Sequence, residues 1–309
     1  MRIFKTLLLF LVFILFFAAC QSENERWIFL SHTYQWGNNE KLDERIEAKD
    51  LSGYEMVLIG GDILGNTTQK ESNLNYLKEQ LNINHEKVLW AVGNHDTKSG
   101  NAHWIPKHTK RPLEYIYKHK HVIFQVFNAN YVSEQETGLP ESCKLITDQI
   151  NILQSIADTI KQSSQFILLS HLAFWGDLDT TLKYYSNYDQ SNRNQFNCSK
   201  HDNGRLGFRY TIWPILKEIK EKGVQVIVLA GDFGQKAKRY EWKDEVGIQY
   251  LGCGINNSIL KNPNNIKKYK YIKNLNNEFL LEFEYNPKLR KLKWEFVPLK
   301  NYLSFIGAN

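Results

Sequence analysis

The nine residues VLWAVGNHD, at positions 88–96, carry the strongest structural signal in this chain of 309 residues. A run of five apolar residues is followed by a glycine and then by three residues whose side chains can bind a metal ion. An unbroken apolar run of this kind is typical of a strand buried on both faces of a parallel sheet. In open α/β sheets the ligand crevice lies beyond the carboxyl ends of the strands. The segment therefore predicts a buried strand that leads into a binding site.

Three other apolar runs end in the same way. Residues 56–59 lead into Gly61-Asp62, residues 166–169 into Ser170-His171, and residues 224–229 into Gly231-Asp232. Carboxylate oxygen, amide oxygen and imidazole nitrogen are ordinary ligands of hard and borderline cations. Asp and Asn also form turns after strands for local reasons, and one such site alone would favour a structural role. Four such strand ends together favour a metal centre.

Three of these motifs resemble blocks of a known family. Gly61-Asp62-Ile63-Leu64, Gly93-Asn94-His95-Asp96 and Ser170-His171 are similar to the second, third and fourth blocks of the calcineurin-like metallophosphoesterases. The resemblance covers roughly residues 26–255, and the Gly-Asn-His-Asp block is its most specific part. It implies a four-layer αββα sandwich, in which two mixed β-sheets are flanked by helices.

The resemblance also implies roles for individual residues. Asp62 would be the carboxylate that bridges two metal ions, and Asn94 and His171 would bind one of them. His95 would be the acid that meets the leaving oxygen. The metal would be a divalent ion such as manganese, iron or zinc, with one or two ions per chain.

The first and last blocks of the family are altered in this chain. Where the family opens with Asp-x-His, residues 31–34 read Ser-His-Thr-Tyr, so His32 stands in the place of the aspartate. Where the family closes with Gly-His-x-His, residues 231–234 read Gly-Asp-Phe-Gly. Asp232 then takes the place of the first histidine, and Gly234 brings no side chain to the second position.

These changes divide the expected ligands unequally between two sites. One ion keeps Asp62, Asn94 and His171, with Asp232 as a fourth ligand, because a carboxylate can replace imidazole at a hard cation. The other ion would have only Asp62, His32 and the Tyr34 hydroxyl. We therefore expect one strong metal site and a second site that is weak or absent.

A single ion can still support hydrolysis of a phosphate mono- or diester, because it can activate water and polarise a phosphoryl oxygen. His95 would protonate the leaving group, with Asp96 orienting its imidazole. His32 could contact phosphate, act as a second acid, bind metal or form a structural hydrogen bond. The alternative to an enzyme is a fold that has lost catalysis and serves as a surface binding or assembly protein.

The N-terminus predicts export. Residues 1–5 are short and basic, residues 6–17 are almost entirely apolar, and Ala18-Ala19-Cys20 follows. This pattern resembles a bacterial lipoprotein signal, cleaved after residue 19, with membrane attachment through lipidated Cys20 and a tether over residues 20–25. An uncleaved signal anchor is the alternative. In both cases we expect the rest of the chain to lie outside the cytoplasm, on the periplasmic side or the outer surface of the cell envelope. The substrate expected there is a phosphorylated small molecule or envelope component.

The remaining cysteines fit that location. Cys143 and Cys198 lie in turn-rich segments and are the expected disulfide pair, whereas Cys253 is expected to pack as a small buried residue.

The charge of the chain is concentrated near its C-terminus. The net charge is +6, and residues 261–300 hold ten Lys or Arg against four Glu. Such a stretch could bind anionic lipid, lipopolysaccharide or nucleic acid. However, residues 279–285 and 292–297 alternate apolar with polar residues, as half-exposed antiparallel strands do, with a hairpin turn at Pro287-Lys288. We expect these lysines to face water, and nucleic-acid binding is not expected.

Helical periodicity completes the predicted organisation. Residues 74–81, 148–161 and 213–222 show apolar positions three and four residues apart, as expected for helices packed on a sheet. We therefore predict a single domain over residues 26–309. A polar and aromatic insertion, around residues 174–209, is expected to overhang the crevice and influence substrate choice, or to be a surface insertion.

Overall fold

The computed structural model of the protein describes residues 24–35, 37–132, 140–161, 163–179, 181–182, 207–233, 239–255 and 278–299. The predicted signal peptide, the lipidated Cys20 and Gly234 lie outside these ranges, as does the polar middle of the insertion, residues 186–204. Among the described residues, no helix combines the length and the apolar character needed to cross a membrane.

The described residues form thirteen strands and seven α-helices. The strands are β1 (Glu25–Leu30), β2 (Tyr34–Gln35), β3 (Asn38–Leu42), β4 (Met56–Ile59), β5 (Val88–Trp90), β6 (Tyr115–His119), β7 (Val122–Phe127), β8 (Gln165–Leu172), β9 (Gln225–Asp232), β10 (Arg239–Lys243), β11 (Gln249–Cys253), β12 (Phe279–Asn286) and β13 (Lys291–Pro298). The helices are α1 (Glu44–Glu47), α2 (Glu71–Leu81), α3 (Asn94–Thr97), α4 (Trp104–Thr109), α5 (Pro140–Thr159), α6 (Phe208–Thr211) and α7 (Trp213–Glu221). Short 3₁₀ helices span Thr67–Gln69 and Ala129–Val132.

Two mixed sheets form the centre of the fold. The first has the order β13-β12-β1-β4-β5, with β1, β4 and β5 parallel to one another. The second has the order β10-β11-β9-β8-β7-β6, with β7, β8, β9 and β11 parallel. Antiparallel strands border both parallel groups. A separate two-stranded ribbon joins β2 and β3.

Alternation of side chains along the strands divides the interior into three apolar layers. In β1, Trp27 and Phe29 point into the core between the two sheets, where Ile167 of β8 also packs. Ile28 and Leu30 point the other way, onto a core that includes residues of α2. Phe166 of β8 points away from the first sheet, into a core shared with α5 and α7. The layers are therefore helix, sheet, sheet, helix, which confirms the predicted αββα sandwich.

The predicted central strands and the three predicted helices are all present. Each apolar run singled out in the sequence lies within or overlaps β4, β5, β8 or β9. The C-terminal hairpin is also confirmed: β12 and β13 pair antiparallel, with Asn286 opposite Lys291. Lys291 and Lys293 are exposed, as expected for a solvated face.

Two expectations about domain boundaries and surface need correction. Glu25 already belongs to β1 and the Asn24 amide donates to Glu284, so the domain begins inside the predicted tether. Trp175 and Phe208 were expected on an overhanging insertion, yet both are fully buried and pack on Tyr250. Their side chains complete the core beside the second sheet, because an aromatic ring gains more from burial than from a place at a wet crevice. Tyr184, Tyr185, Tyr188 and Phe196 lie outside the described residues.

The cysteines follow the predicted pattern where the structure describes them. Cys143 is disulfide-bonded, and its expected partner Cys198 lies outside the described residues. Cys253 is a buried free thiol in β11, which confirms the prediction that it packs as a small core residue.

A buried ion cluster lies at the start of β1, at the end of the strand away from His32. Glu25 is 9% exposed and accepts hydrogen bonds from Lys120 Nζ and from Trp27 Nε1. His119 Nε2 lies 2.8 Å from the same carboxylate. Burial alone would raise the pKa of Glu25, but Lys120 and His119 outweigh it and the pKa is lowered. The cluster therefore ties β1 of the first sheet to the β6–β7 turn of the second.

We predict that Glu25→Gln lowers the free energy of unfolding by about 1–3 kcal/mol, since it weakens hydrogen bonds made to a charged group. Because the pKa of Glu25 is lower in the folded state, its ionised carboxylate stabilises the protein fully at pH values above its ordinary pKa of 4.5. That stabilisation is lost as the pH falls through the folded-state pKa. In chemical denaturation, the difference between the wild type and the variant should be full at neutral pH and shrink on acidification. Glu295→Gln, at an exposed position of β13, is the control and should change little. Equal stability of both variants at neutral pH would contradict the role of Glu25.

Candidate metal centre

The carboxyl ends of strands from both sheets meet at one place. Ser31, directly after β1, donates its hydroxyl to the carbonyls of Gly60 and Gly61, which follow β4, at 3.1 and 3.2 Å. Gly231, in β9 of the second sheet, lies against this turn: a Cβ there would stand 2.1 Å from Gly60 O. Only a residue without a side chain allows the two sheets to approach this closely.

Four predicted site residues come together at this junction. His32 Nε2 lies 3.3 Å from Asp62 Oδ2, and His171 Nε2 lies 3.5 Å from Asp62 Oδ1 and 3.7 Å from Asp232 Oδ2. The rings of His32 and His171 stack with centroids 5.3 Å apart. Ligand atoms around one ion with bonds of about 2.0–2.2 Å are separated by about 3.0–3.5 Å. His32, Asp62 and His171 thus have nearly the spacing of ligands around a single cation, and Asp232 lies beside His171.

The hydrogen bonding of the two ring nitrogens of His171 shows that this cluster of side chains fits a metal ion. His171 is fully buried, and its Nδ1 lies 2.6 Å from Gly60 O, so that nitrogen carries the proton and donates it. Its Nε2 has no hydrogen-bond partner among the described residues and faces two carboxylates. A buried imidazole nitrogen beside two carboxylates costs free energy unless a cation or a proton lies between them. A histidine whose other nitrogen donates to a carbonyl is the usual arrangement of a metal ligand.

His32 and Asp62 both have left-handed backbone conformations, with φ of 49° and 51°. Such values are uncommon for residues other than glycine and cost free energy that the surrounding structure must supply. The His95 amide donates to Asp62 Oδ1 at 3.0 Å and helps to hold this carboxylate. Burial would raise the pKa of Asp62, but the nearby His171, His32 and His95 outweigh it and keep the pKa well below its usual range. Asp62 is thus an ionised group held at the centre of the cluster.

The role predicted for Asp96 is wrong. This carboxylate is fully buried and does not contact the His95 imidazole; its partners are backbone and core groups. It accepts hydrogen bonds from the amides of Asp62, Ile63 and Gly93, from Thr67 Oγ1 and from Trp90 Nε1, at 2.6–3.2 Å. Asp96 directly follows His95 in α3, and successive residues of a helix point in directions about 100° apart, so its side chain turns inward while that of His95 does not. It therefore fixes the two turns that carry the site and does not orient the predicted acid.

Asn94 has a different environment from the four clustered residues. It is exposed at the start of α3, and its metal-ligand role stays a prediction. The preceding Gly93 lies against the centre, because a Cβ there would stand 2.1 Å from Asp62 Oδ1. The backbone of the Gly-Asn-His-Asp block is thus fixed beside the cluster.

His95 is half-buried at the edge of the cluster and is held on two sides. Its Nδ1 lies 2.9 Å from Gly65 O and 2.8 Å from Lys98 Nζ, and its ring stacks on Tyr34 with centroids 6.1 Å apart. Burial, followed by the charges of Asp62 and Asp232, raises the pKa of Tyr34. Tyr34 forms a wall of the site beside His95, and its role as a ligand of a second ion stays a prediction.

Sequence reasoning missed Lys98 and Thr67. Lys98 follows His95 by three residues, a spacing that places two side chains on one helix face, but α3 is too short to show periodicity. Thr67 reaches Asp96 from a separate 3₁₀ helix, and no local signal predicts that contact.

Comparison with known proteins adds little to this geometry. No protein-family model matches the chain, and no curated protein matches it. Among solved structures it is similar to phosphopantetheinyl hydrolase (PptH) from Mycobacterium tuberculosis, with 9% identity over 80% of this chain and 93% of that chain. The TM-score of 0.43 is too low to support an inference about activity. The function must therefore follow from the site itself.

We predict that Asp96→Asn lowers the free energy of unfolding of the metal-free protein by about 2–4 kcal/mol, because several buried donors lose a charged acceptor. The measurement is chemical denaturation in the presence of a chelator. Asp148→Asn, which removes a half-exposed carboxylate paired with Lys144, should cost no more than about 0.5 kcal/mol. Normal stability of the metal-free Asp96→Asn protein would count against the structural role.

Proposed function

We propose that this chain is a metal-dependent hydrolase of phosphate mono- or diesters that uses one divalent cation. The observation that supports the proposal is the buried His171 Nε2, which faces Asp62 and Asp232 without a hydrogen-bond partner among the described residues. His32, Asp62, His171 and Asp232 would hold the ion, and Asn94 is a further candidate. This ligand set of two imidazoles and two carboxylates suits manganese, iron or zinc.

His32 therefore takes the ligand role among the alternatives that its sequence position left open. Its Nε2 is directed at Asp62 Oδ2, and its ring is 6% exposed, so little of it is available to a substrate. Two carboxylates balance the charge of a divalent ion, and two neutral imidazoles complete the shell. We therefore propose one shared site in place of the two unequal sites expected from the sequence.

A divalent ion bound there would polarise a phosphoryl oxygen and lower the pKa of a bound water. The protein's own residues supply the remaining steps. The His95 amide donates to Asp62, so the distance between this proposed ligand and the proposed acid His95 is fixed. The Gly65 carbonyl accepts from His95 Nδ1, so an imidazolium protonated on both nitrogens would give its Nε2 proton to the leaving oxygen. Tyr34 covers one face of the His95 ring and limits its rotation.

A second function has one observation in its favour. Asp62 has partners within the protein, since His32 Nε2 and the His95 amide lie within 3.3 Å of its oxygens. Protonated histidines could satisfy the carboxylates without a metal ion. The chain would then be an inactive binding or assembly protein on the same fold.

We predict that the purified full chain, incubated with manganese, zinc or iron and freed of excess metal, retains about one ion per chain. Asp62→Ala and His171→Ala should abolish retention, and His32→Ala should weaken it by at least about tenfold, the lower limit for loss of a supporting group. Elemental analysis and titration with metal give both quantities. His103→Ala, at an exposed position before α4, is the matched control.

Two results would contradict this prediction. Two ions per chain, or full retention in His32→Ala, would reject the single site that includes His32. No bound metal together with no metal-stimulated cleavage of p-nitrophenyl mono- or diesters would reject the enzyme and favour the binding protein.

We predict that His95→Ala lowers kcat for a p-nitrophenyl ester by about 10²- to 10⁴-fold and leaves metal content unchanged, as expected for a positioned general acid. Steady-state assays with paired elemental analysis test this, again with His103→Ala as the control. If the His95→Ala protein has wild-type activity, His95 is not the acid.

A further inference from the structure

We infer that Lys98 binds the phosphoryl group and makes the site prefer phosphate monoesters, which are dianions, over diesters. The inference rests on the proposed function, and it extends that function to a substrate class. Three observations support it: the position of Lys98 beside the centre, the competition between Lys98 and the Gly65 carbonyl for His95 Nδ1, and the charge of the centre.

Lys98 directly follows helix α3 and is exposed. Its amide donates to Asn94 O at 3.0 Å, so it continues the helical turn that carries Asn94 and His95. Residues three apart lie on the same side of such a turn, which places the Lys98 side chain beside the His95 ring. The ammonium lies 2.8 Å from His95 Nδ1 and can be reached from solvent.

The contact between Lys98 and His95 competes with a second hydrogen bond. His95 Nδ1 also lies 2.9 Å from Gly65 O. A carbonyl oxygen only accepts, so this bond needs a proton on Nδ1, whereas a lysine ammonium only donates and needs a lone pair there. The two bonds cannot form together. When His95 Nδ1 donates its hydrogen bond to the Gly65 carbonyl, the Lys98 ammonium is released for an anionic ligand at the edge of the centre.

The charges of the centre explain why such a cation matters more for a dianion. Asp62 and Asp232 would balance the charge of a divalent ion, and the buried Asp96 accepts a hydrogen bond from the Asp62 amide. A monoester brings two negative charges to this region and a diester brings one. The Coulomb attraction to a lysine scales with the charge of the ligand. Removal of the Lys98 charge should therefore affect monoesters more strongly than diesters.

The experiment compares four manganese-loaded full-chain proteins: wild type, Lys98→Gln, Lys98→Arg and Lys107→Gln. Lys107 is the matched control because it is an exposed lysine whose ammonium pairs with Glu71 of α2. Binding of inorganic phosphate is measured by calorimetric titration. In parallel, kcat/KM is measured for p-nitrophenyl phosphate and for bis(p-nitrophenyl) phosphate, and manganese content is determined for each protein.

In Lys98→Gln we expect phosphate affinity and monoester kcat/KM to fall about 10- to 100-fold, the loss of one charge-assisted hydrogen bond, and diester kcat/KM to fall no more than about threefold. Lys98→Arg keeps the charge and should retain most of the monoester preference. Lys107→Gln should match the wild type in every measurement, and manganese content should be equal throughout.

The inference is overturned if Lys98→Gln binds phosphate as the wild type does, if it loses activity equally toward both esters, or if the wild type binds no phosphate. Equal loss would mean that Lys98 acts only by positioning His95. If the wild type cleaves neither ester, the proposed function fails, and the phosphate titration still decides the role of Lys98 independently.

Discussion

The buried carboxylate of Asp96 is the interaction on which the site depends. Its two oxygens accept hydrogen bonds from the turn after β4, from the turn after β5 and from the 3₁₀ helix that begins at Thr67. A fully buried carboxylate is stable only when its oxygens are satisfied in this way. Because all of these donors converge on one group, the two turns cannot move independently.

This constraint places the groups that carry chemistry. Asp62 is held in a left-handed conformation by the turn that Asp96 fixes, and Gly93 leaves room for its carboxylate. The second sheet then brings His171 and Asp232 against the same point, through the close contact between Gly60 and Gly231. The centre is therefore built by the junction of two sheets, and neither sheet alone holds all of the proposed ligands.

The electrostatics of the centre connect its structure with its proposed chemistry. Asp62 and Asp232 concentrate negative charge in a buried place, and His171 presents a nitrogen to both. A divalent cation would relieve this arrangement, and His95 with Lys98 lies at the more accessible edge, where a substrate would enter. The altered first motif block places His32 beside His171 and Asp62, and the single site proposed above rests on that proximity.

The sequence by itself predicted the sandwich, through its resemblance to a known family, and it singled out strand ends that meet at the centre. Apolar runs that end in Asp, Asn or His identified β4, β5, β8 and β9, because an unbroken apolar run is typical of a strand buried on both faces. It could not show that the His32 ring stacks on that of His171, that Asp96 faces away from His95, or that Trp175 belongs to the core. Those facts depend on which strand ends meet across two sheets and on the direction of a side chain within one helical turn. Only the tertiary structure decides them, since the groups that enforce them lie far apart in the chain.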